Sequence, residues 1–275
     1  MTLPVTGQTT VAGIIGDPVS HSRSPAIHNA AYAAVDLDWA YVAFRVAPGT
    51  VRAALDGLRA LHVAGCNVTM PHKREAAEAC DELAPTAAAL GVVNTVIVRD
   101  GDLVGDSTDG AGFVDAAHED GVDLKAATVL VLGAGGAARA IVHALGGRTA
   151  GLRVVARRPD AAAAVAALAP GSEAVPLDAA DDAVTASDVI VNATPLGMHG
   201  EAPPFATDRL TAQHVVFDTI YAPAETPLLA AARARGARAI NGLGLLVHQA
   251  AHTFTLLTGR DAPLEIMWAA ARDHR

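Results

Sequence analysis

Cysteine is almost missing from this chain. Cys66 and Cys80 are the only two in 275 residues, and they form no C-x-x-C pair. That excludes a disulfide-stapled secreted scaffold and predicts two reduced thiols in a cytoplasmic protein. Aromatic residues make up only 4%, too few to suggest a slot for a flat, aromatic ligand such as a pterin. No run of Lys and Arg occurs and the formal net charge is −9, which excludes a nucleic-acid surface. No apolar stretch approaches the roughly 18 residues needed to span a bilayer, and the first residues lack the charge-then-apolar layout of a signal peptide. The 11 histidines are scattered. His248 and His252 are spaced for one helix face, yet no third ligand candidate accompanies them. They are expected to pack or cap, and no metal is expected.

What is present is an apolar, globular composition: 51% hydrophobic and 18% charged, over a length that accommodates two modest domains. The most informative stretch is TVLVLGAGGAARAIVHAL, residues 128–145. Its run Val129-Leu130-Val131-Leu132 has the pattern of a strand buried on both faces. Gly133, Gly135 and Ala138 follow at the spacing of the G-x-G-x-x-G/A dinucleotide fingerprint. The first glycine permits a tight turn, the second admits a pyrophosphate close to the backbone, and the small third residue lets the helix pack on the strand. Ala137, Ala140, Ile141 and Leu145 continue at helical spacing, so the new helix aims its free amides at the turn. The alternative is a structural βα turn that binds nothing.

The next strand, ending at Ala156-Arg157-Arg158-Pro159, bears on which cofactor. NAD-binding versions place an acid about 20 residues after the fingerprint, to hold the ribose 2′-hydroxyl. Here two arginines stand there, and the first acid is Asp160. A guanidinium grips a 2′-phosphate with paired, charge-assisted hydrogen bonds, whereas a carboxylate repels it. NADP(H) is therefore expected, with Arg157 the main contact and Arg158 a second. The bland alternative is a pair of solvated arginines before a helix.

In chain order, strands are expected at 11–15, 39–45, 63–68, 94–98 and 103–104, with helices from Pro25, at 50–61 and at 73–80. Pro25 is expected at the first helical position with Ser24 as N-cap. This half reads as a mainly parallel sheet with an antiparallel edge around an Asp100-Gly101 turn. A helix through about His118 leads on to strands near Thr128, Arg153, Ala174, Val189, Val215 and Ala237, the doubly wound count. Apolar helices at 242–258 and 263–271 finish the chain, and they can bury a homodimer interface or close the first domain of a monomer. The fold class is thus α/β, a substrate domain plus a Rossmann-type domain.

Several polar residues in the first half sit at strand or loop ends, where ligands of open α/β sheets bind. Ser22 and Ser24 follow the first strand, Thr69 and Lys73 the third, and Asn94 and Asp109 flank the last two. Hydroxyls, an amide, one cation and one carboxylate suit a small polyhydroxy acid, with the Lys–Asp pair handling a proton. Each also has a dull explanation: Ser24 and Asp109 as helix caps, Lys73 as a first-turn lysine. A cation is poorly placed beside a helix N-terminus, however, which favours a functional lysine.

Taken together, these motifs resemble a shikimate dehydrogenase. The similarity rests on Ser20-His21-Ser22-Arg23-Ser24-Pro25, Asn67-Val68-Thr69-Met70-Pro71-His72-Lys73, Gly91-Val92-Val93-Asn94-Thr95, Thr108-Asp109-Gly110, Gly133-Ala134-Gly135-Gly136-Ala137, Asn192-Ala193-Thr194-Pro195-Leu196-Gly197-Met198, and Gly242-Leu243-Gly244 with Gln249. It covers about residues 11–259. The resemblance implies reversible, NADPH-dependent reduction of 3-dehydroshikimate to shikimate, in the pathway to chorismate and the aromatic amino acids. It implies a substrate domain, 1–108 plus 243–275, and a cofactor domain, 109–242, that hinge near Asp109 and residues 242–244. By motif, Ser22, Ser24, Thr69, Asn94, Asp109, Tyr221 and Gln249 correspond to substrate contacts. Lys73 corresponds to the catalytic acid/base, with Asp109 its partner. Gly133, Ala134, Gly135, Gly136 and Ala137 correspond to the pyrophosphate turn, and Arg157 to the 2′-phosphate contact. Thr194, Leu196, Thr219 and Gly242 fall on segments of the nicotinamide side. Departures from the family pattern are Ser107 for a common Asn, Ala156 and Arg158 around Arg157, and Thr219 for a frequent Met or Val. They bear on cofactor affinity and preference more than on the reaction. The alternatives are a quinate or aminoshikimate paralogue using NAD, a methylene-tetrahydrofolate enzyme on the same two-domain plan, and a non-catalytic NADPH-binding regulatory module.

Overall fold

The apolar run at the start of the chain is a buried strand, β1 (Thr10–Gly16). The computed structural model describes residues 5–273. After β1 come α1 (Ser24–Ala34), β2 (Trp39–Arg45), α2 (Val51–Ala60), β3 (Gly65–Val68), α3 (Lys73–Ala79), β4 (Glu82–Leu83), α4 (Pro85–Leu90), β5 (Thr95–Arg99), β6 (Asp102–Asp106) and α5 (Asp109–Glu119). The second set is β7 (Thr128–Leu132), α6 (Gly136–Leu145), β8 (Gly151–Val155), α7 (Pro159–Ala166), β9 (Glu173–Val175), α8 (Ala180–Thr185), β10 (Val189–Asn192), β11 (Val215–Asp218), α9 (Pro227–Ala234) and β12 (Arg238–Ile240). Two helices close the chain, α10 (Leu243–Thr258) and α11 (Leu264–Arg272). Among the described residues no helix is long and apolar enough to cross a membrane.

Two units result. One joins the residues up to Gly112 with those from Val247 on; the other is Phe113–Leu246. The divisions fall inside α5 and α10, about one helical turn beyond the expected points.

The first unit holds a six-stranded sheet in the order β2-β1-β3-β5-β6-β4. β1 pairs in parallel with β2 and β3, and β4 with β6. β5 runs antiparallel to both β3 and β6. The antiparallel pairing therefore lies in the middle of the sheet, not at the expected edge. The edge is the two-residue β4, too short to announce itself in sequence. The closing helices belong here: α11 packs on α1, and Val247, Ala250 and Phe254 of α10 are fully buried.

The second unit is a parallel sheet in the order β12-β11-β10-β7-β8-β9. Counted from β7, this is the doubly wound order 3-2-1-4-5-6 read from the far edge, with the switch between β7 and β10. β7 is buried on both faces and joins a core with Ile141, Val142 and Leu145 of α6.

Candidate active site

The mixed sheet of the first unit explains how distant residues share one edge. β1 and β3 are parallel, so the loops after Gly16 and Val68 leave from the same side. β5 reverses direction, which brings its start there as well: Asn67 pairs with Thr95. β6 reverses again, so that Asp106 pairs with Thr95. Ser22, Ser24, Thr69, Lys73, Asn94 and Asp109 all follow or precede strand ends on this side.

Lys73 opens α3 and its Nζ donates to Oδ2 of Asp109. The other carboxylate oxygen accepts from Asn94 Nδ2 at 2.7 Å. Asn94 is itself fixed: its Oδ1 accepts from the Thr108 amide at 2.8 Å, and its Nδ2 reaches Thr108 Oγ1 at 2.9 Å. Asp109 lies in the first turn of α5, where the helix dipole favours a carboxylate. Its side chain bonds to Lys73 and Asn94, so it is not the backbone cap that its position allowed.

Below this pair lies a polar cluster that sequence reasoning left unassigned. Asn67 Nδ2 donates to Thr253 Oγ1 at 2.9 Å and to the Asn94 carbonyl at 3.2 Å, while its Oδ1 accepts from the Tyr41 hydroxyl at 2.6 Å. Thr253 Oγ1 also lies 3.0 Å from Thr95 Oγ1. Thr253 comes from α10, so only the fold reveals the cluster.

The other expected contacts divide. Ser24 is buried and is the first residue of α1; Arg23 holds the N-cap position and no side chain caps the helix. The expected Ser24 cap is therefore incorrect, and Pro25 takes the second position. The Ser24 amide instead donates to Ser22 Oγ at 3.2 Å. Thr69 is half-buried, with its methyl tight against Gly16, where a side chain would clash. Gln249 is buried on α10, its backbone close against Gly112. Tyr221 belongs to the second unit, in the segment after β11.

In the second unit, Gly133 has φ of +120°, and a side-chain carbon there would stand 2.7 Å from the Ala193 carbonyl oxygen. Glycine is required on both counts. Gly135 precedes α6, whose first amides no side chain caps. A side-chain carbon on Gly135 would meet no atom within 4 Å. This open cradle of free amides fits a dinucleotide pyrophosphate. Ala134 and Ala137 lean on the core below it. Arg157 and Arg158 are exposed at the end of β8, next to β7 in the sheet. Arg158 pairs loosely with Asp160 at 3.9 Å. Such an exposed pair contributes little and leaves the guanidinium available to a phosphate. Thr194 and Leu196 follow β10. Thr219 follows β11, and its carbonyl packs so closely on Gly242 that no side chain fits there.

The chain matches three family profiles. "Shikimate dehydrogenase substrate binding domain" covers residues 14–96, "Shikimate / quinate 5-dehydrogenase" 115–198 and "Shikimate 5'-dehydrogenase C-terminal domain" 242–272. It is 42% identical over 281 residues to a shikimate dehydrogenase (NADP(+)) of Moorella thermoacetica, across 98% of this chain and 95% of that protein. The structure resembles shikimate 5-dehydrogenase from Thermus thermophilus in complex with NADP(H) and shikimate, with a TM-score of 0.88 and 34% identity, covering 96% of this chain and 99% of that one. It also resembles quinate dehydrogenase from Corynebacterium glutamicum in complex with NAD, with a TM-score of 0.87 and 31% identity, covering 95% and 98%. On the strength of this full-length similarity, the chain belongs to the shikimate dehydrogenase family.

Proposed function

We propose that the protein is an oxidoreductase that reversibly reduces 3-dehydroshikimate to shikimate with NADPH. The observation that carries this assignment is the joined set Lys73, Asp109 and Asn94 at the strand ends of the first unit. When bound, NADPH supplies the hydride to the ketone carbon, and NADP+ takes it back in the reverse direction.

The chain's own residues handle the proton. Asp109 is held at both oxygens, so it turns little and aims the Lys73 ammonium. An ammonium has three donors. One serves Asp109, which leaves two for ligand oxygens. As the carbon is reduced, negative charge grows on the carbonyl oxygen; Lys73 stabilises it and then delivers the proton from Nζ. In reverse, the neutral amine accepts the hydroxyl proton. Asp109 also accepts from a ring hydroxyl of the substrate. Ser22, Ser24, Thr69, Asn94, Tyr221 and Gln249 supply further hydroxyl and amide contacts.

Gly133, Ala134, Gly135, Gly136 and Ala137 hold the pyrophosphate of the cofactor. Arg157, supported by Arg158, holds the 2′-phosphate. Thr194, Leu196, Thr219 and Gly242 border the nicotinamide. We assign substrate binding to 1–108 plus 243–275 together with Asp109, and cofactor binding to the rest of 109–242. The two thiols carry no disulfide, which supports a cytoplasmic setting.

The test is the absorbance of reduced nicotinamide, with shikimate and quinate each offered NADP+ and NAD+. Shikimate with NADP+ is expected to turn over fastest. Faster turnover of quinate with NAD+ would move the assignment to the paralogous activity. Tight NADPH binding with no turnover of either acid would make the chain a binding module.

A further inference from the structure

The last residue of β11, Asp218, is a carboxylate for which the reaction above has no use. It is 1% exposed, and its partners are all neutral donors. Oδ1 accepts from Asn192 Nδ2 at 2.9 Å and from the Ile220 amide at 3.1 Å; Oδ2 accepts from Thr226 Oγ1 at 2.6 Å. Burial pushes its pKa up, and these hydrogen bonds offset part of that rise. A buried carboxylate without a cation costs stability that an uncharged isostere would not.

What the charge secures is the direction of a neighbour. Asn192, 2% exposed, uses all four of its hydrogen-bonding positions. Nδ2 donates to Asp218 and to the Leu196 carbonyl at 3.1 Å. Oδ1 accepts from the Thr194 amide at 3.0 Å and from Thr194 Oγ1 at 2.6 Å. A carboxamide can sit in either of two orientations, and only its neighbours choose between them. A carboxylate can only accept, so it draws Nδ2 inward and turns Oδ1 toward both donors of Thr194. Thr226 adds a second tie. Its hydroxyl donates to Asp218 and caps α9 by accepting from the Leu229 amide at 3.3 Å. Its Cβ lies 3.1 Å from where a side-chain carbon on Gly197 would stand, against the same loop.

We infer that Asp218 is a positioning residue for the cofactor: its charge locks the Asn192 carboxamide, and Asn192 shapes the segment from Thr194 to Leu196. This inference rests on the assignment of that segment to the nicotinamide side.

The full-length Asp218→Asn variant tests it by NADPH calorimetry and by steady-state kinetics. Losing one such bond corresponds to about a tenfold change in affinity. The Kd and KM for NADPH should each rise by about that factor, while the KM for shikimate moves less than about twofold. In the ligand-free variant, the Thr194 and Leu196 amides should exchange hydrogen faster than in the parent. Thr226→Val should shift NADPH affinity the same way, and Thr226→Ser, which keeps the hydroxyl, should not. If Asp218→Asn does not fold, the Thr226 pair carries the test. An unchanged NADPH affinity in folded variants would overturn the inference. So would equal losses for both substrates that track a lower melting temperature. A parent enzyme inactive on shikimate would overturn the proposed reaction instead, since the NADPH calorimetry is read without turnover.

Discussion

A positive charge at the start of a helix is unfavourable, and Lys73 stands there. Asp109 cancels that cost within the site, which makes the pair an electrostatic unit rather than two separate residues. Removing Lys73 therefore takes away the proton donor while Asp109 stays tied to Asn94. Lys73→Ala is expected to lower kcat by about 100-fold or more while the shikimate Kd from calorimetry changes little; near-normal turnover would eliminate the role. Arg157 offers the complementary case. It is exposed and holds no structural position, so Arg157→Ala should leave folding intact. The expected result is a KM for NADPH raised by about tenfold or more, with NADH kinetics almost unchanged. Equal losses for the two cofactors would count against 2′-phosphate recognition.

The turn between β7 and α6 carries the tightest constraint at the level of elements. Gly133 combines a positive φ with a close carbonyl, so Gly133→Ala should lower stability by about 1–3 kcal/mol and abolish NADPH binding. A urea titration read beside calorimetry would separate the two effects. This turn was also the most legible part of the chain. A doubly buried parallel strand announces itself by an unbroken apolar run, as β7 and β10 do, and all six strands of the second unit lie close to the expected positions, though β9 and β12 carry no such run. The first unit was less legible, because its sheet depends on pairing partners and not on local pattern. Nothing in Thr95–Arg99 says that β5 lies between β3 and β6. The site split in the same way. Lys73, Asn94 and Asp109 were visible as polar residues at strand ends. Asn67 bonded to Thr253, and Asn192 bonded to Asp218, were not, since each pair joins residues distant in sequence. The Ser24 cap failed because local propensity names a cap but not the residue at which the helix begins.

Across the whole molecule, the first unit is tied together by a buried aromatic group. His28 of α1 stacks on Tyr41 of β2, with centroids 4.3 Å apart and planes 5° from parallel. Tyr32 meets Phe254 of α10 at 5.5 Å. His28 is fully buried, and among the described residues neither ring nitrogen has a hydrogen-bond partner. Burial lowers its pKa from 6.5 to about 3. Between those values the unfolded chain binds a proton that the folded one refuses. Stability contributed by this neutral imidazole is thus complete above about pH 6.5 and is lost as pH falls toward 3, at about 1.4 kcal/mol per unit. His28→Phe keeps a ring against Tyr41 and removes the titration. Between pH 7 and 5 its urea-unfolding free energy should fall by about 2 kcal/mol less than that of the parent; parallel pH profiles would refute this.

That same unit is built from two separated stretches, one on either side of the uninterrupted segment Phe113–Leu246. Synthesis therefore completes Phe113–Leu246 before it completes the unit that flanks it. The opening residues must wait, with part of their apolar surface uncovered, until α10 and α11 emerge. A released chain that ended before Val247 would keep the uninterrupted unit whole and leave the flanking one without most of α10 and all of α11, and that uncovered surface is where chaperones should bind.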